Sequence, residues 1–511
     1  MSQPLIVPLV DEGLGNSAYL VDLGDGRALA VDPSRDLRTL AEASRRHGLR
    51  VAFAAETHLH ADFLSGAVQL ARDQRAQVLG SAAGNREFPH RGLAEGDEVD
   101  LGGLTLRAVG TPGHTPEHLS YLLLDGSHPV AVFTGGSLIV GAAARTDLAG
   151  AQNTEALARA QYRSLHRLVR EFADDTLVLP THGAGSFCSA PPGAARTTTI
   201  GAEKATNPLL AAPDEDTFVR LLLEGLGSYP TYFDRLGELN RRGPTRIDGT
   251  PVLRPLSAKD VTALMDRGAQ IVDVRPVRDF AAAHLPGSLS IELRDAFATW
   301  LGWLTNPDRP LVIIRNPDQD PDEICWQALK IGYHPLTGEL SGGITAWQAA
   351  GGSTTSIPIL DAGDVDPQRV LDIRQRSEYA AGHIPGSSNA ELATVTAATP
   401  AGPVQTLCGH GERAATAASL LTATGRTTAE PTGIAVNALV GGMLGQERTV
   451  LPLLASKVFH LTAYTAALTF ILAFGTTKAI VNFFAGQLSD RHGRKPVLVA
   501  GCSSGCPYRC C

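Results

Sequence analysis

The chain has almost no cysteine until its last ten residues. Cys188, Cys325 and Cys408 are the only three before residue 500, too few and too scattered for a disulfide framework, which fits a reducing cytoplasm. Positive charge is also scarce: the net charge is −8, and no basic stripe appears outside one short C-terminal cluster. Nucleic acid is therefore disfavoured as a partner, and small molecules are expected instead. The opening residues lack a basic segment followed by a long apolar run, so no secretory signal is read. What is present is length and apolar bulk. With 511 residues, 43% apolar and 19% charged, the chain is too long for one core and rich enough to build several.

Short strands are expected at 5–10, 17–23, 28–31 and 51–55, alternating with helical periodicity at 37–47, 66–73 and 154–172. This is a layered α/β pattern. Residues 191–255, rich in Pro, Gly, Thr and Arg around one helical piece at 214–226, read as an extension and a linker. An internal repeat follows. IVDVRPVRDFAAAHLPGS from Ile271 reappears as VLDIRQRSEYAAGHIPGS from Val370, an offset of 99 that pairs Asp273 with Asp372, Arg275 with Arg374, His284 with His383 and Gly287 with Gly386. Two copies of one small α/β domain are therefore expected in tandem.

Three turns carry ligand-type side chains. Glu56-Thr57-His58-Leu59-His60-Ala61-Asp62-Phe63 follows an apolar strand and puts two imidazoles and a carboxylate on one loop. Thr111-Pro112-Gly113-His114-Thr115 presents one His, and Thr181-His182-Gly183-Ala184-Gly185 another. Imidazoles two residues apart can face one cation, and the carboxylate can hold a second or orient a water. His58, His60, Asp62, His114 and His182 are the expected metal-site residues.

These motifs resemble the metallo-β-lactamase superfamily, whose signature is H-x-H-x-D-H with distant His, Asp and His ligands. THLHADFLSG, TPGHTPEH, FTGGSLIVG with RTDL, and THGAGSFC look most like its persulfide dioxygenase branch. The resemblance implies an αββα sandwich holding one Fe(II) on two His and one Asp, which oxidises a thiol persulfide to sulfite. Two positions depart from it. Phe63 replaces the last His of the signature, which disfavours a dinuclear hydrolase, and Gly136 stands where the family places its ligand aspartate. His58 and His114 match two iron ligands, and His60 is the nearest replacement for the third. Asp62 and His182 are then expected in an outer shell or a second site, and Asp147 in a structural role. Three His and water suit Zn²⁺ as well as Fe²⁺.

Both repeats resemble rhodanese domains, in which a cysteine at a strand end carries a persulfide and loop N–H groups stabilise the anionic sulfur. Cys408-Gly409-His410-Gly411-Glu412-Arg413 fits the family's C-x-x-x-x-R loop. Cys408 is the expected sulfur acceptor, and Arg413 is expected to seat the anion. The first copy has Arg315-Asn316-Pro317 at that place and no cysteine, so it is expected to be silent. Cys325, inside a helical stretch, is expected to be a core residue, and His284 and His383 structural ones.

The second copy loses its pattern after Leu421. An apolar stretch at 434–454 and a second from Leu461, long enough to cross a bilayer core of about 30 Å, precede GQLSDRHGRK. This decapeptide resembles the loop between the second and third helices of major facilitator transporters. Transmembrane-type helices are expected there, with membrane association, from either a genuine fusion or a join between reading frames. The expected domains are thus 1–245, 256–355, 358–428 and 432–501, with an irregular tail at 502–511.

The resemblances together imply sulfane-sulfur metabolism with a thiol persulfide and thiosulfate as substrates. A zinc hydrolase of the thioesterase or glyoxalase II type and a membrane-tethered product with a degraded site are the alternatives.

Overall fold

A computed structural model describes residues 4–188, 195–360, 364–398, 404–423 and 433–436. In the first domain, strands alternate their side chains between two faces, and that period decides the architecture. Along Asn16–Asp22, Tyr19 and Val21 point into a central core while Leu20 points outward; along Leu119–Asp125, Tyr121 and Leu123 point inward while Leu122 and Leu124 point outward. Two six-stranded sheets therefore face each other across that core. Helices Arg38–His47 and Ala67–Gln74 cover the outer face of one sheet, and Thr154–Glu171 and Glu215–Glu224 cover the other. This is the αββα sandwich. The metal-type turns leave strand ends Arg50–Ala55, Leu104–Gly110 and Leu177–Pro180, which bring them to one rim.

The two copies have matching five-stranded sheets. Their strand orders are Pro255–Leu256, Gly338–Leu340, Leu311–Ile314, Gln270–Asp273, Leu289–Ser290 and Ile359–Leu360, Gly433–Val436, Gln405–Cys408, Val370–Asp372, Ser388–Asn389. In the first copy both faces of Leu311–Ile314 are buried, Leu311 and Ile313 on one side and Val312 and Ile314 on the other, which explains an unbroken apolar run. The repeated Asp-x-Arg serves the same purpose twice: Arg275 and Arg374 grip Asp273 and Asp372 at 2.6 Å and donate to Ala283 O and Gly382 O. His284 and His383 also match. Each ring stacks at 3.9 Å on the aromatic residue four positions earlier and bonds that residue's carbonyl through Nδ1.

The strand Gly433–Val436 lies where the sequence suggested the start of an apolar helix. It pairs parallel with Ile359–Leu360 instead, Ile434 opposite Ile359, so the second copy extends past residue 428. The expected transporter-like helices and cysteine-rich tail, from 437 onward, lie outside the described residues. Among the described residues no helix is long and apolar enough to cross a membrane.

The stretch read as a linker contains a second helix of consequence, Phe233–Arg242. Phe233, Leu236 and Asn240 face inward, and the polar Asn240 hides the apolar stripe from a periodicity reading. The helix joins one continuous core that runs from Phe63 and Leu64 of the metal-type loop, through Tyr232, Phe233 and Leu236, to Val272, Leu301 and Ile331 of the first copy. Lys330 to Asp11 at 2.6 Å and Arg38 to Glu323 at 2.9 Å close the rim of this joint. Helix Glu412–Ala423, whose Ala414, Ala415, Ala417 and Ala418 allow close approach, lies on the first copy. There Thr416 Oγ1 donates to Ser290 O and Ser290 N donates to Ser419 Oγ.

Candidate functional site

His58, His114 and His182 present ring nitrogens within 4.8 Å of one another. All three are fully buried, and each has Nδ1 engaged elsewhere. His58 Nδ1 meets Thr57 Oγ1 at 2.8 Å; because that hydroxyl donates to Asp32 Oδ2 at 2.7 Å, it must accept from the ring. His114 Nδ1 donates to Arg145 O at 2.6 Å, and His182 Nδ1 to Asn16 Oδ1 at 3.1 Å. Anchoring one ring nitrogen fixes the tautomer and leaves Nε2 for a cation. His58 Nε2 and His182 Nε2 stand 3.4 Å apart, close to the about 3.3 Å expected for two nitrogens about 2.0–2.1 Å from one tetrahedral cation.

Electrostatics favour neutral, ligand-type rings at His58 and His114. Burial, reinforced by the neighbouring imidazoles, pushes His58 well below its ordinary range, and burial with His182 pushes His114 down to about 3. Both shifts favour the neutral imidazole, whose free nitrogen carries a lone pair. Burial opposes charge on His182 too, but Cys188 and Asp62 outweigh it and raise that ring. Asp62 is in turn brought down to about 2 by His182 against the cost of burial.

His60, the expected third ligand, lies beside His58 with ring centroids 4.1 Å apart. Its Nε2 lies 3.2 Å from Asp32 Oδ1, an ion-pair separation that lacks hydrogen-bond alignment, and both ring nitrogens lack a hydrogen-bond partner. It belongs to two overlapping groups, one with Asp32 and His58 and one with Asp62 and His182. His182 groups with His58 and His114, whereas His60 groups with His58 only together with Asp32. Asp62 holds Asn16 Nδ2 at 2.8 Å through Oδ2 and leaves Oδ1 buried and unpartnered.

The two departures have physical causes here. Phe63 is 1% exposed, stacks on His60 at 4.2 Å and belongs to the joint with the first copy. At Gly136 an added Cβ would fall 2.3 Å from His114 Cδ2, so the His114 ring occupies the space a side chain would need. Asp147 is bidentate to Arg145 at 2.7 and 2.8 Å, and Arg145 also bonds Phe187 O and Gly227 O. That lattice fixes the carbonyl that orients His114.

Three contributors escaped the sequence reading. His118 accepts from Gly136 N at 3.0 Å and meets Thr111 Oγ1 at 2.9 Å, so both of its nitrogens are used in holding the Gly136 turn. Asn240 donates to His60 O and Phe63 O at 2.7 and 2.8 Å and accepts from Ser65 N at 2.9 Å, clamping the loop on both sides of Asp62. Cys188 Sγ lies 4.0 Å from Asp62 Oδ2. The second His of TPGHTPEH was a visible signal; Asn240 and Cys188 carried none.

In the second copy, Cys408 ends its strand, buried, and its sulfur accepts from Gly411 N at 3.0 Å. Arg413 is bidentate to Glu378 at 2.7 and 2.9 Å, so its charge already has a partner. In the first copy Arg315 occupies the corresponding place, ion-paired with Glu339 and donating to Gln319 O at 2.9 Å. Side chains fill that loop. Cys325 is core, its thiol pushed up to about 11 by burial.

Comparisons with known proteins agree with this layout. Residues 11–182 match the Metallo-beta-lactamase superfamily, and residues 257–350 and 359–444 match the Rhodanese-like domain. The chain is 40% identical over 114 residues to a hydroxyacylglutathione hydrolase of Acidiphilium cryptum, covering 22% of this chain and 46% of that one, so it spans about half the length of this relative. It is 28% identical over 238 residues to human mitochondrial persulfide dioxygenase ETHE1, covering 45% and 79%. A solved metallo-beta-lactamase structure from Staphylococcus aureus subsp. aureus COL superposes with a TM-score of 0.59 at 26% identity, over 66% of this chain and 99% of that one. The chain therefore carries a metallo-beta-lactamase superfamily domain followed by two tandem rhodanese-like domains.

Proposed function

We propose that the first domain is a mononuclear metal-dependent persulfide dioxygenase, with the metal on His58, His114 and His182, and that Cys408 carries sulfane sulfur in the second copy. The observation that carries the metal assignment is the set of three buried imidazoles whose Nδ1 atoms are all anchored while their Nε2 atoms converge. The likeness to the human persulfide dioxygenase supports the reaction. Overall, R–S–SH, O₂ and H₂O give R–SH and sulfite. Iron, the cofactor favoured here, supplies the redox chemistry with oxygen when bound.

The protein's own part is to hold and to exclude. Thr57, Arg145 O and Asn16 fix the ring orientations, Asn240 fixes the loop backbone, and the joint built on Phe63 keeps water from that side of the site. Asp62, held ionised, faces His182 Nδ1 at 3.3 Å through Oδ2 and helps to orient that ring. At the second centre, the Gly411 N–H stabilises anionic sulfur on Cys408.

A zinc hydrolase is the second reading, favoured by the 40% identical stretch shared with the hydroxyacylglutathione hydrolase and by a three-His set that suits zinc. Metal analysis of the full chain, with oxygen uptake and sulfite release measured on glutathione persulfide, separates the two. Bound iron with stoichiometric oxygen consumption is expected. Bound iron with no oxygen uptake, or zinc with thioester cleavage, would sink the dioxygenase reading.

A further inference from the structure

A cavity of about 240 Å³ lies where all three domains meet. Phe187 comes from the first domain, Trp300 and Trp303 from the first copy, and Glu378, Glu391 and Arg413 from the second. The aromatic side chains form one wall: Trp300 stacks on Trp303 at 5.2 Å, and Phe187 meets Trp303 edge-on at 5.0 Å. A mostly apolar recess with a few fixed polar groups is the usual form of a small-molecule site.

Its position ties it to both chemical centres. Phe187 immediately precedes Cys188, whose sulfur is 4.0 Å from Asp62. Arg413 closes the Cys408 loop, and the Cys408 thiol is among the charges acting on it.

The lining also selects a charge. Arg413 is neutralised by Glu378, which leaves Glu391 in excess. Glu391 is held in place by Ser228 Oγ at 2.7 Å and Arg376 N at 3.1 Å. One surplus carboxylate beside indole faces suits an ammonium group, which gains both from the charge and from the ring quadrupoles. Inorganic anions such as thiosulfate meet the wrong sign there.

We propose that this cavity binds an amine-bearing low-molecular-weight thiol, held between the Cys408 loop and the metal domain with its ammonium at Glu391 and its carbon body against Trp300 and Trp303. The choice of a thiol rests on the persulfide reading above; the preference for an amine rests on the lining alone.

Intrinsic tryptophan fluorescence of the full chain, titrated with cysteamine and with 3-mercaptopropionate, tests it. Cysteamine should quench saturably and bind at least fivefold more tightly than the carboxylate thiol. Glu391→Gln should remove most of that preference, and Trp303→Leu should weaken both thiols. Equal binding of the two thiols, no saturation, or an unaltered preference in Glu391→Gln would overturn the assignment; the Gln variant, at a half-buried position, keeps the test valid if the Leu variant does not fold. The fluorescence readout reports binding and does not depend on oxygen chemistry. Saturable cysteamine binding without oxygen uptake on glutathione persulfide would therefore discard the dioxygenase and keep the cavity, and the converse would do the opposite.

Discussion

His182 Nε2 stands 3.4 Å from His58 Nε2, although the two residues lie 124 positions apart and on different turns. That spacing suits a shared cation. His182→Ala should lower metal affinity by more than about 100-fold, the upper end for losing even an outer partner of a ligand. His60→Ala should retain the metal. Metal content after dialysis checks both, and loss of metal from the His60 variant alone would reverse the assignment.

The Asp32, Thr57 and His58 chain acts at one remove. Thr57→Val keeps the volume but removes the acceptor for His58 Nδ1, and should cost about 10–100-fold in metal affinity. Cobalt substitution gives the readout: the visible spectrum of the variant should shift, whereas a variant that only loosened the fold would bind with the parent spectrum.

At Gly136 even one methyl group meets the His114 ring. Gly136→Ala should destabilise the protein by about 1–3 kcal/mol, as overpacking of a tight interior does, and should weaken metal binding by displacing His114. Unchanged melting and unchanged metal content would show that the ring can move aside.

Asn240 satisfies two buried carbonyls and one buried N–H of the metal loop. Asn240→Leu leaves all three without partners, and each buried unsatisfied group costs about 1–3 kcal/mol. Denaturant unfolding should show a loss of at least one such increment, together with a lower kcat at a nearly unchanged KM if the loop geometry is disturbed in the folded enzyme.

The Arg413–Glu378 pair gives a pH dependence with a defined sign. Burial opposes ionisation of Glu378, but the Arg413 guanidinium outweighs it and holds the carboxyl below its ordinary value. Its contribution is thus complete above the ordinary glutamate range, near pH 4.5, and is lost as pH falls through the lower folded value. Glu378→Gln should flatten the acid limb of the thermal midpoint against pH. For the transfer site itself, Cys408→Ser should abolish thiosulfate-to-cyanide activity and Cys325→Ser should not.

Much of this was legible beforehand, and the reasons differ by element. The sandwich was readable because its strands alternate faces with period two, and the tandem copies because Asp-x-Arg and His-x-Pro-Gly-Ser recur at a fixed offset. The five metal-type residues were readable because each sits in a turn after a strand. Their partition was not: whether His60 or His182 completes the set depends on side-chain direction across a 124-residue separation, which spacing does not encode. Helix Phe233–Arg242 was missed because its third inward position is an asparagine, and that asparagine is what binds the loop. The edge strand Gly433–Val436 was missed because its apolar run continues into a longer one, so length favoured a helix.

Phe63 stands where the H-x-H-x-D-H signature has its last histidine. The residue fills the apolar seam against the first copy, so a histidine there would bury an imidazole among largely apolar neighbours before any cation could reward it. A second metal at that position is thereby disfavoured by an assembly constraint: the first copy, with Arg315 where the second has Cys408, supplies the seam that Phe63 completes.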